Sequence, residues 1–502
     1  MQSFFDTLLE RSRTAEQPRA QSLHEDCADG RSAATPNARI IVATTMAVAI
    51  TAGTVLRFVS LGAREMSADE GASWAAANAP TIPQVLRIQP LLNPGKFALH
   101  DILLHGWIGL FGEGLAAMRS LSALAGTLTI VAVFFAVREL FAITPHTEAQ
   151  PAEAHLHRGD IIAATAALIF AFNLVSIKYS REARMYPVAL LCAVIQAGLF
   201  LRTVRHPVAG SAILTALFTA LSIAATFTML LMLPPEALWL GWSFWRARIT
   251  RTSAGRLALA LSGGLLLLIP PAIIYLGARA NAPPLTAYAW AMPPPFWAPA
   301  SLFNKGVGTF AFPVMVLLAG WGMVRGWRSQ RDALTFALIW MMAPPLVVLL
   351  ASYAVRPAFV ERYMLASFVP FFALVAFGIW QIPGLAARGA LLGLVVALSV
   401  AHVYSYAHKV HDTQWAEAAQ AASAAIGNRG FVAVAPPYAV NVVRYYLPGA
   451  RYDGRIFSAR DTRFAAVAIV ADSGVSATDA ARITAIYPRL RARLRGVMVR
   501  EH

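Results

Sequence analysis

Apolar residues fill this chain in long runs separated by short polar breaks. A helix crosses a hydrocarbon core with roughly 17–25 such residues. Runs of that kind occupy about 40–57, 119–141, 160–177, 187–203, 208–227, 228–245, 257–276, 308–324, 333–354, 363–381 and 389–407, eleven in all. One further stretch, FALHDILLHGWIGLF at 97–111, is shorter and carries His100, Asp101 and His105 near helical spacing. It reads as an amphipathic helix lying in the interface. Beyond 407 the pattern alternates helix-like and strand-like pieces (TQWAEAAQAASAAI, FVAVAP, YAVNVVRYYL, AAVAIVAD, ATDAARITAIYPRL), as a small α/β unit does. The predicted architecture is an all-α polytopic membrane bundle of about eleven transmembrane helices. Interfacial helices follow its first span, and a C-terminal α/β domain covers 408–502.

Composition supports the membrane reading. Of the 502 residues, 57% are hydrophobic and 14% charged, and the mean hydropathy is +0.56. So few charges cannot cover a water-exposed surface. The net charge of +16 sits in short clusters between apolar runs, with no basic helix or aromatic-interleaved patch, which argues against nucleic acid. Cys27 and Cys192 give no disulfide framework, and the polar first 39 residues hold no signal-peptide core.

The clusters Arg202/Arg205, Arg246/Arg248/Arg251/Arg256, Arg325/Arg328/Arg331 and Arg388 mark cytoplasmic loops by the positive-inside rule. Counting back places residues 1–39 inside, a membrane domain over 40–407, and the loops 58–118, 178–186, 277–307 and 355–362 outside. The C-terminal domain also falls outside. We therefore expect an inner-membrane protein whose active face and tail meet the periplasm.

Chemistry-bearing residues gather on that outer side. The 58–118 loop holds SADEGASWAAANAP, where Asp69 is placed to cap a helix running through Glu70 and Trp74. A carboxylate at the membrane–water boundary is also suited to accept a proton from a hydroxyl. Arg57, Lys96, Arg119, Arg181, Arg184, Arg356 and Arg362 lie on the same predicted side, where positive residues are usually sparse. Guanidinium groups at headgroup level match phosphate bidentately. His100 and His105 read as interfacial polar residues. Glu236, in the Pro234-Pro235-Glu236 break of a span, reads as a structural pair or a groove-lining acid. Trp290, Pro293–Pro295 and Trp297 read as a rigid interfacial loop with an aromatic belt.

Several patches in order carry a family resemblance. They are Arg57 ending the first span with Asp69-Glu70 twelve residues on, NPGKFALHDILLHGWIGLFG followed by AAMRSLSAL, SREARMYPVALL, FVERYMLASFVP and DTQWAEAAQ. Together they resemble the polyprenyl-phosphate-sugar-dependent glycosyltransferases of the membrane-embedded C-type fold, in the branch of protein O-mannosyltransferases and the lipid A aminoarabinose transferase. The resemblance covers about 50–420. It implies a hexosyl- or pentosyltransferase that moves one sugar from a polyprenyl-phosphate donor to a lipid, glycan or protein acceptor. It further implies Asp69 as catalytic base with Glu70 in support. Arg57, Arg119, Arg184 and Arg362 would hold the donor phosphate or the loop, and Tyr186 and Tyr363 would shape the pocket. Where the family reads PPLYY this chain reads Pro94-Gly95-Lys96-Phe97-Ala98, so Lys96 either replaces a contact or adds one.

A phosphate leaving group needs no general acid, so one base and nearby cations suffice for a single inverting displacement. Adjacent helical residues diverge by about 100°, which keeps Glu70 from acting as a second nucleophile on the same carbon. No cofactor is implied with certainty; Asp69 is the candidate ligand should a divalent cation such as Mg2+ or Mn2+ take part. A transporter or flippase of lipid-linked saccharides is the alternative, but it would carry inverted repeats and several intramembrane acids, of which only Glu236 is present.

Overall fold

The computed structural model describes residues 36–143, 152–280, 282, 293–355, 357–408, 415–426, 431–435, 439–448, 452–453, 467–472 and 497–499. The expectations for residues 1–35 with Cys27, for Trp290, Arg356 and the ATDAARITAIYPRL segment fall outside these described residues.

Each of the eleven apolar runs is helical, though not each is one straight span. Six helices are long and apolar enough to cross a membrane: Ala38–Phe58, Leu115–Phe141, Tyr186–Arg205, Arg251–Arg279, Arg331–Ala354 and Leu385–His408. Two further runs are bent pairs, Gly159–Phe172 with Leu174–Ser180 at 59° and Ala298–Val307 with Ala311–Gly326 at 111°. The count by length and composition is thus six, or up to eight, among the described residues. Ala209–Ala225 and Leu365–Trp380 are shorter apolar helices. The 228–245 run breaks into a 3-10 turn (Phe227–Met232) and the helix Leu233–Trp245, whose second and third residues are Pro234 and Pro235. Prolines there lack the N–H that a continuous ladder needs, so the helix restarts at that point.

The interior is packed by small residues as much as by large ones. A side chain at Gly378 would run into the carbonyl of Leu318, and one at Gly322 into the backbone of Gly378. Close backbone approach of this kind holds helices together where lipid offers no hydrophobic drive. The two outermost candidate spans, Ala38–Phe58 and Leu385–His408, bury only 11% of their apolar windows and present the rest as a lipid-facing surface.

Between the first two spans lie three short helices, Ala68–Ala77, Ile82–Leu92 and Leu99–Phe111. The last, at 13 residues, is too short to cross and matches the interfacial expectation for 97–111. Later segments fasten this layer from below. Tyr275 donates to the Pro94 carbonyl at 2.6 Å, Arg279 to the Pro90 carbonyl at 3.1 Å, and the Phe227 amide to the Gly95 carbonyl at 3.0 Å.

The tail carries the helices Trp415–Ile426 and Val440–Tyr446 and four strands, β1 (Phe431–Ala435), β2 (Tyr452–Asp453), β3 (Val467–Asp472) and β4 (Val497–Val499). They form a parallel sheet in the order β2-β1-β3-β4, with Phe431 to Ala435 of β1 paired to Val467 to Ala471 of β3. The tail docks on the Ala68–Ala77 helix. A Cβ on Gly71 would meet the Val442 backbone nitrogen at 2.8 Å, so only glycine permits this approach. The Met66 amide donates to the Tyr446 hydroxyl at 2.9 Å, the Ala416 amide donates to Glu65 at 3.2 Å, and Trp74 meets the Tyr445 ring edge-on at 5.3 Å.

Candidate active site

The site begins with the local sequence Ser67-Ala68-Asp69-Glu70. The Glu70 amide donates to the Ser67 hydroxyl at 3.2 Å, and the Ser67 amide returns a bond to Glu70 Oε2 at 3.0 Å. This is a capping box. The cap is therefore Ser67 and not Asp69, a correction that the S-x-x-E spacing itself carries. Asp69 stands one residue before Glu70 in the first turn, so the two carboxylates point different ways.

Glu70 points inward and is saturated. It takes Arg119 Nε at 2.8 Å, Arg119 Nη2 at 2.9 Å and the Ala183 amide at 2.8 Å in addition to Ser67. Burial alone would raise its pKa; the bonds from Arg119, Ser67 and Ala183 overcome that and hold it below the ordinary value. Arg119 is saturated as well. Besides Glu70 it donates to the carbonyls of Leu61 at 3.0 Å, Arg64 at 2.8 Å and Glu65 at 2.7 Å, which uses all five of its N–H groups. Of the two roles expected for Arg119, on the donor phosphate or on the loop, this geometry is that of a clamp on the 61–70 segment.

Arg57 is committed to backbone and hydroxyl acceptors in a similar manner. Its side chain is fully buried, donating to the Gly53 carbonyl at 2.8 Å, the Ala171 carbonyl at 3.2 Å and Ser176 Oγ at 3.0 Å. It ties the first span to the break between Gly159–Phe172 and Leu174–Ser180.

Asp69 is different. Its carboxylate is 52% exposed, lies 3.5 Å from Arg184 and 3.3 Å from Arg362, and meets no other cation within ion-pair distance among the described residues. Arg184 also donates to the Asp69 carbonyl at 2.6 Å. The Arg184 guanidinium, more than burial opposes it and with help from Arg362 and Lys96, keeps Asp69 below the usual carboxylate value. Arg184 and Arg362 each retain a buried Nε without an acceptor. Two cations and one carboxylate leave a net positive charge with donors still unused, which favours an anion.

The two tyrosines flank these arginines. Arg184 donates to the Tyr186 hydroxyl at 3.5 Å and sits over its ring at 5.6 Å, while Arg362 lies 5.9 Å from the Tyr363 ring centroid. Tyr186 is buried and Tyr363 half-buried.

Lys96 does not stand at the surface of this cluster. It is fully buried, ion-paired to Asp101 at 2.8 Å and 3.5 Å from His100 Nδ1. Burial favours the neutral form of each partner, lowering Lys96 and raising Asp101. His100, expected as an interfacial residue, is likewise fully buried, and burial with the Lys96 charge holds it neutral. His105 bonds the Ala77 carbonyl at 2.8 Å. Glu236 pairs with Gln196 at 3.0 Å among the spans, the structural option of the two expected for it.

Among the described residues no three His, Cys, Asp or Glu side chains are placed to hold a metal ion, and Asp69 already faces two guanidiniums.

One acidic residue escaped sequence reasoning. Glu182 lies half-buried in the turn between Arg181 and Arg184, and burial followed by the Glu70 charge pushes it up to about 7, against Lys178 and Arg184. Its only sequence signal is its place inside the SREARMY patch.

Residues 103–248 match the family model described as Protein O-mannosyl-transferase TMEM260 N-terminal domain. No curated protein sequence matches the chain. Among solved structures, ArnT from Cupriavidus metallidurans bound to undecaprenyl phosphate superposes with a TM-score of 0.53 at 13% identity, over 90% of this chain and 89% of that one. Its apo form gives 0.54 at 15% identity, over 91% and 89%. The Archaeoglobus fulgidus oligosaccharyltransferase AglB, in complex with an inhibitory peptide and a dolichol-phosphate, gives 0.52 at 11% identity over 80% of this chain. This chain spans only 63% of that larger protein. The chain is a multi-pass membrane protein with the C-type fold of the membrane glycosyltransferases.

Proposed function

We propose that the protein is a glycosyltransferase moving a single sugar from a polyprenyl-phosphate donor to a hydroxyl of a lipid, glycan or protein acceptor. The observation that carries this reading is the exposed Asp69 carboxylate held between Arg184 and Arg362. The fold supports it, as does the undecaprenyl phosphate named for ArnT and the dolichol-phosphate named for AglB.

The roles follow from geometry. The Arg184 and Arg362 guanidiniums receive the donor phosphate and stabilise the charge that grows on it as the sugar departs. Asp69 accepts a hydrogen bond from the acceptor hydroxyl and takes its proton while the new glycosidic bond forms. Attack from the face opposite the phosphate inverts the anomeric carbon. Glu70 and Arg119 hold the 61–70 segment so that Asp69 stays in place, and the same service falls to Lys96 with Asp101 under the cluster. The arginine-rich loops at the opposite ends of the spans favour an inner-membrane protein with this site, and the 408–502 domain, on the periplasmic side.

The test is Asp69→Asn in cells, with mass analysis of envelope lipids, glycans and proteins. Loss of one sugar modification, with the variant still folded and inserted, is the expected result. Full retention of the modification would remove Asp69 as base.

A further inference from the structure

At the ends of the spans away from Asp69, two sets of arginines meet different conditions. The helix Tyr186–Arg205 begins beside Arg184, so its far end lies about 30 Å from the site at 1.5 Å per residue. There Arg202 and Arg205 reach Glu139 at 3.5 and 2.8 Å, and Arg138 reaches Asp160 at 2.7 Å. Those three arginines are matched by acids. The neighbouring set is not. Ser253 donates to the Val204 carbonyl at 3.4 Å, which puts the 246–251 turn on the same face, and Arg248 pairs with Asp332, which brings the 325–331 turn beside it. Arg246, Arg251, Arg325, Arg328 and Arg331 are exposed and make no ion pair among the described residues. No Asp or Glu occurs in the sequence between Glu236 and Asp332.

Both turns are fixed by their own backbone. After Trp245 the chain reverses through Ala247, at a left-handed φ of 52°. The Ala247 amide donates to the Phe244 carbonyl at 3.0 Å and the Arg248 amide to the Ser243 carbonyl at 2.9 Å. This reversal leaves Arg246 over the Trp245 ring and Arg248 over the Trp242 ring, each at 4.9 Å. In the second turn the Gln330 amide donates to the Gly326 carbonyl at 2.8 Å, and Arg325 lies over the Trp321 ring at 5.4 Å. Arg251 and Arg331 open their helices, where the dipole disfavours a cation and favours an anion. The adjoining span surface is apolar and uncovered, with Trp245 75% and Val324 78% exposed. A cationic rim bordering apolar surface at the end of a span suits an amphiphile with an anionic head.

We propose that the 246–251 and 325–331 turns form a binding site for the phosphodiester head of an anionic phospholipid, whose acyl chains lie on the apolar surface at Trp245 and Val324. The unmatched arginines supply the charge, and their guanidiniums take phosphate oxygens in pairs. The Arg248–Asp332 pair holds the two turns together and leaves the surrounding cations free for the ligand. The site stands apart from Asp69 and does not rest on the transferase reading.

The test titrates the delipidated full chain in detergent with phosphatidylglycerol, with phosphatidylcholine of the same acyl chains, and with inorganic phosphate. Native mass spectrometry reads retained ligand, and thermal unfolding reads the stabilisation it brings. Phosphatidylglycerol should bind and raise the melting temperature, and the other two should do neither. The triple variant Arg246→Gln, Arg328→Gln, Arg331→Gln should weaken phosphatidylglycerol binding roughly 100-fold, at about fivefold per arginine. Arg205→Gln, from the acid-matched set, should leave it unchanged. Added salt should weaken it in the wild type without any substitution. Equal binding of phosphatidylcholine would reduce the surface to an acyl-chain contact, and equal binding of phosphate would make it a free-anion site; either overturns the proposal. Salt-insensitive binding overturns it too, as does undiminished binding in the triple variant or an equal loss in Arg205→Gln.

Discussion

Two neighbouring carboxylates divide this site into a closed half and an open half. Glu70 and Arg119 form a knot in which four donors converge on one carboxylate and five N–H groups leave one guanidinium. Asp69, Arg184 and Arg362 form a cluster with longer contacts, solvent access and two unused donors. Both are carboxylate–arginine pairs one residue apart in sequence. Saturation separates them: the knot has no capacity to bind anything further, and the cluster does.

The most drastic way to break the comparison is Asp69→Asn. Removing a general base typically costs 10²–10⁴-fold in turnover, roughly. Turnover should collapse by that order while the melting temperature holds, as read by envelope mass analysis and thermal unfolding in detergent. If both fell together, the open half would be structural too.

Glu70→Gln should do the reverse. Breaking a buried pair leaves Arg119 uncompensated and destabilises by about 3–5 kcal/mol. Denaturation in detergent would measure it, with activity per folded molecule changing less than stability. The sign with pH follows from the same carboxylate. Its folded-state pKa lies below the unfolded value near 4.5, so its stabilisation is present above that pH and is lost as pH falls through the folded value.

Arg362→Lys keeps the charge and removes the fork. Loss of one charge-assisted hydrogen bond should weaken undecaprenyl phosphate binding roughly tenfold, with melting unchanged. Binding as tight as wild type would move the phosphate away from Arg362. The mildest change is Gly71→Val, which forces the tail off the Ala68–Ala77 helix at Val442. Overpacking at one contact costs about 1–3 kcal/mol. The expected readout is faster proteolysis of the tail with a partial loss of turnover, and an unaltered digestion pattern would show that the docking tolerates the added side chain.

Much of the architecture was legible because hydropathy is a local property. The eleven apolar runs, the short 97–111 helix and the strands FVAVA and VAIVAD follow from a few consecutive residues each. Arg184 and Arg362 were legible as outward cations near Asp69. The runs that break, at Pro234-Pro235 or between Phe172 and Leu174, looked continuous because hydropathy averages over a bend. Arg57 and Arg119 carried the same outward signal as Arg184, and nothing local distinguished them. Their acceptors lie up to 119 residues away, as with Arg57 and Ser176.

By itself the sequence determined that this chain lives in a membrane, where its apolar runs lie, and that acid and arginine gather in the loops between them. It does so because lipid enforces long apolar runs and because charge placement tracks the two faces of a bilayer. Only the tertiary structure decided which arginines are consumed by carbonyls, that Lys96 and His100 are sealed beneath the cluster, and that the tail grips the helix bearing Asp69. Those outcomes depend on partners far apart along the chain, and a hydrogen bond leaves no trace in the residues that lie between its ends.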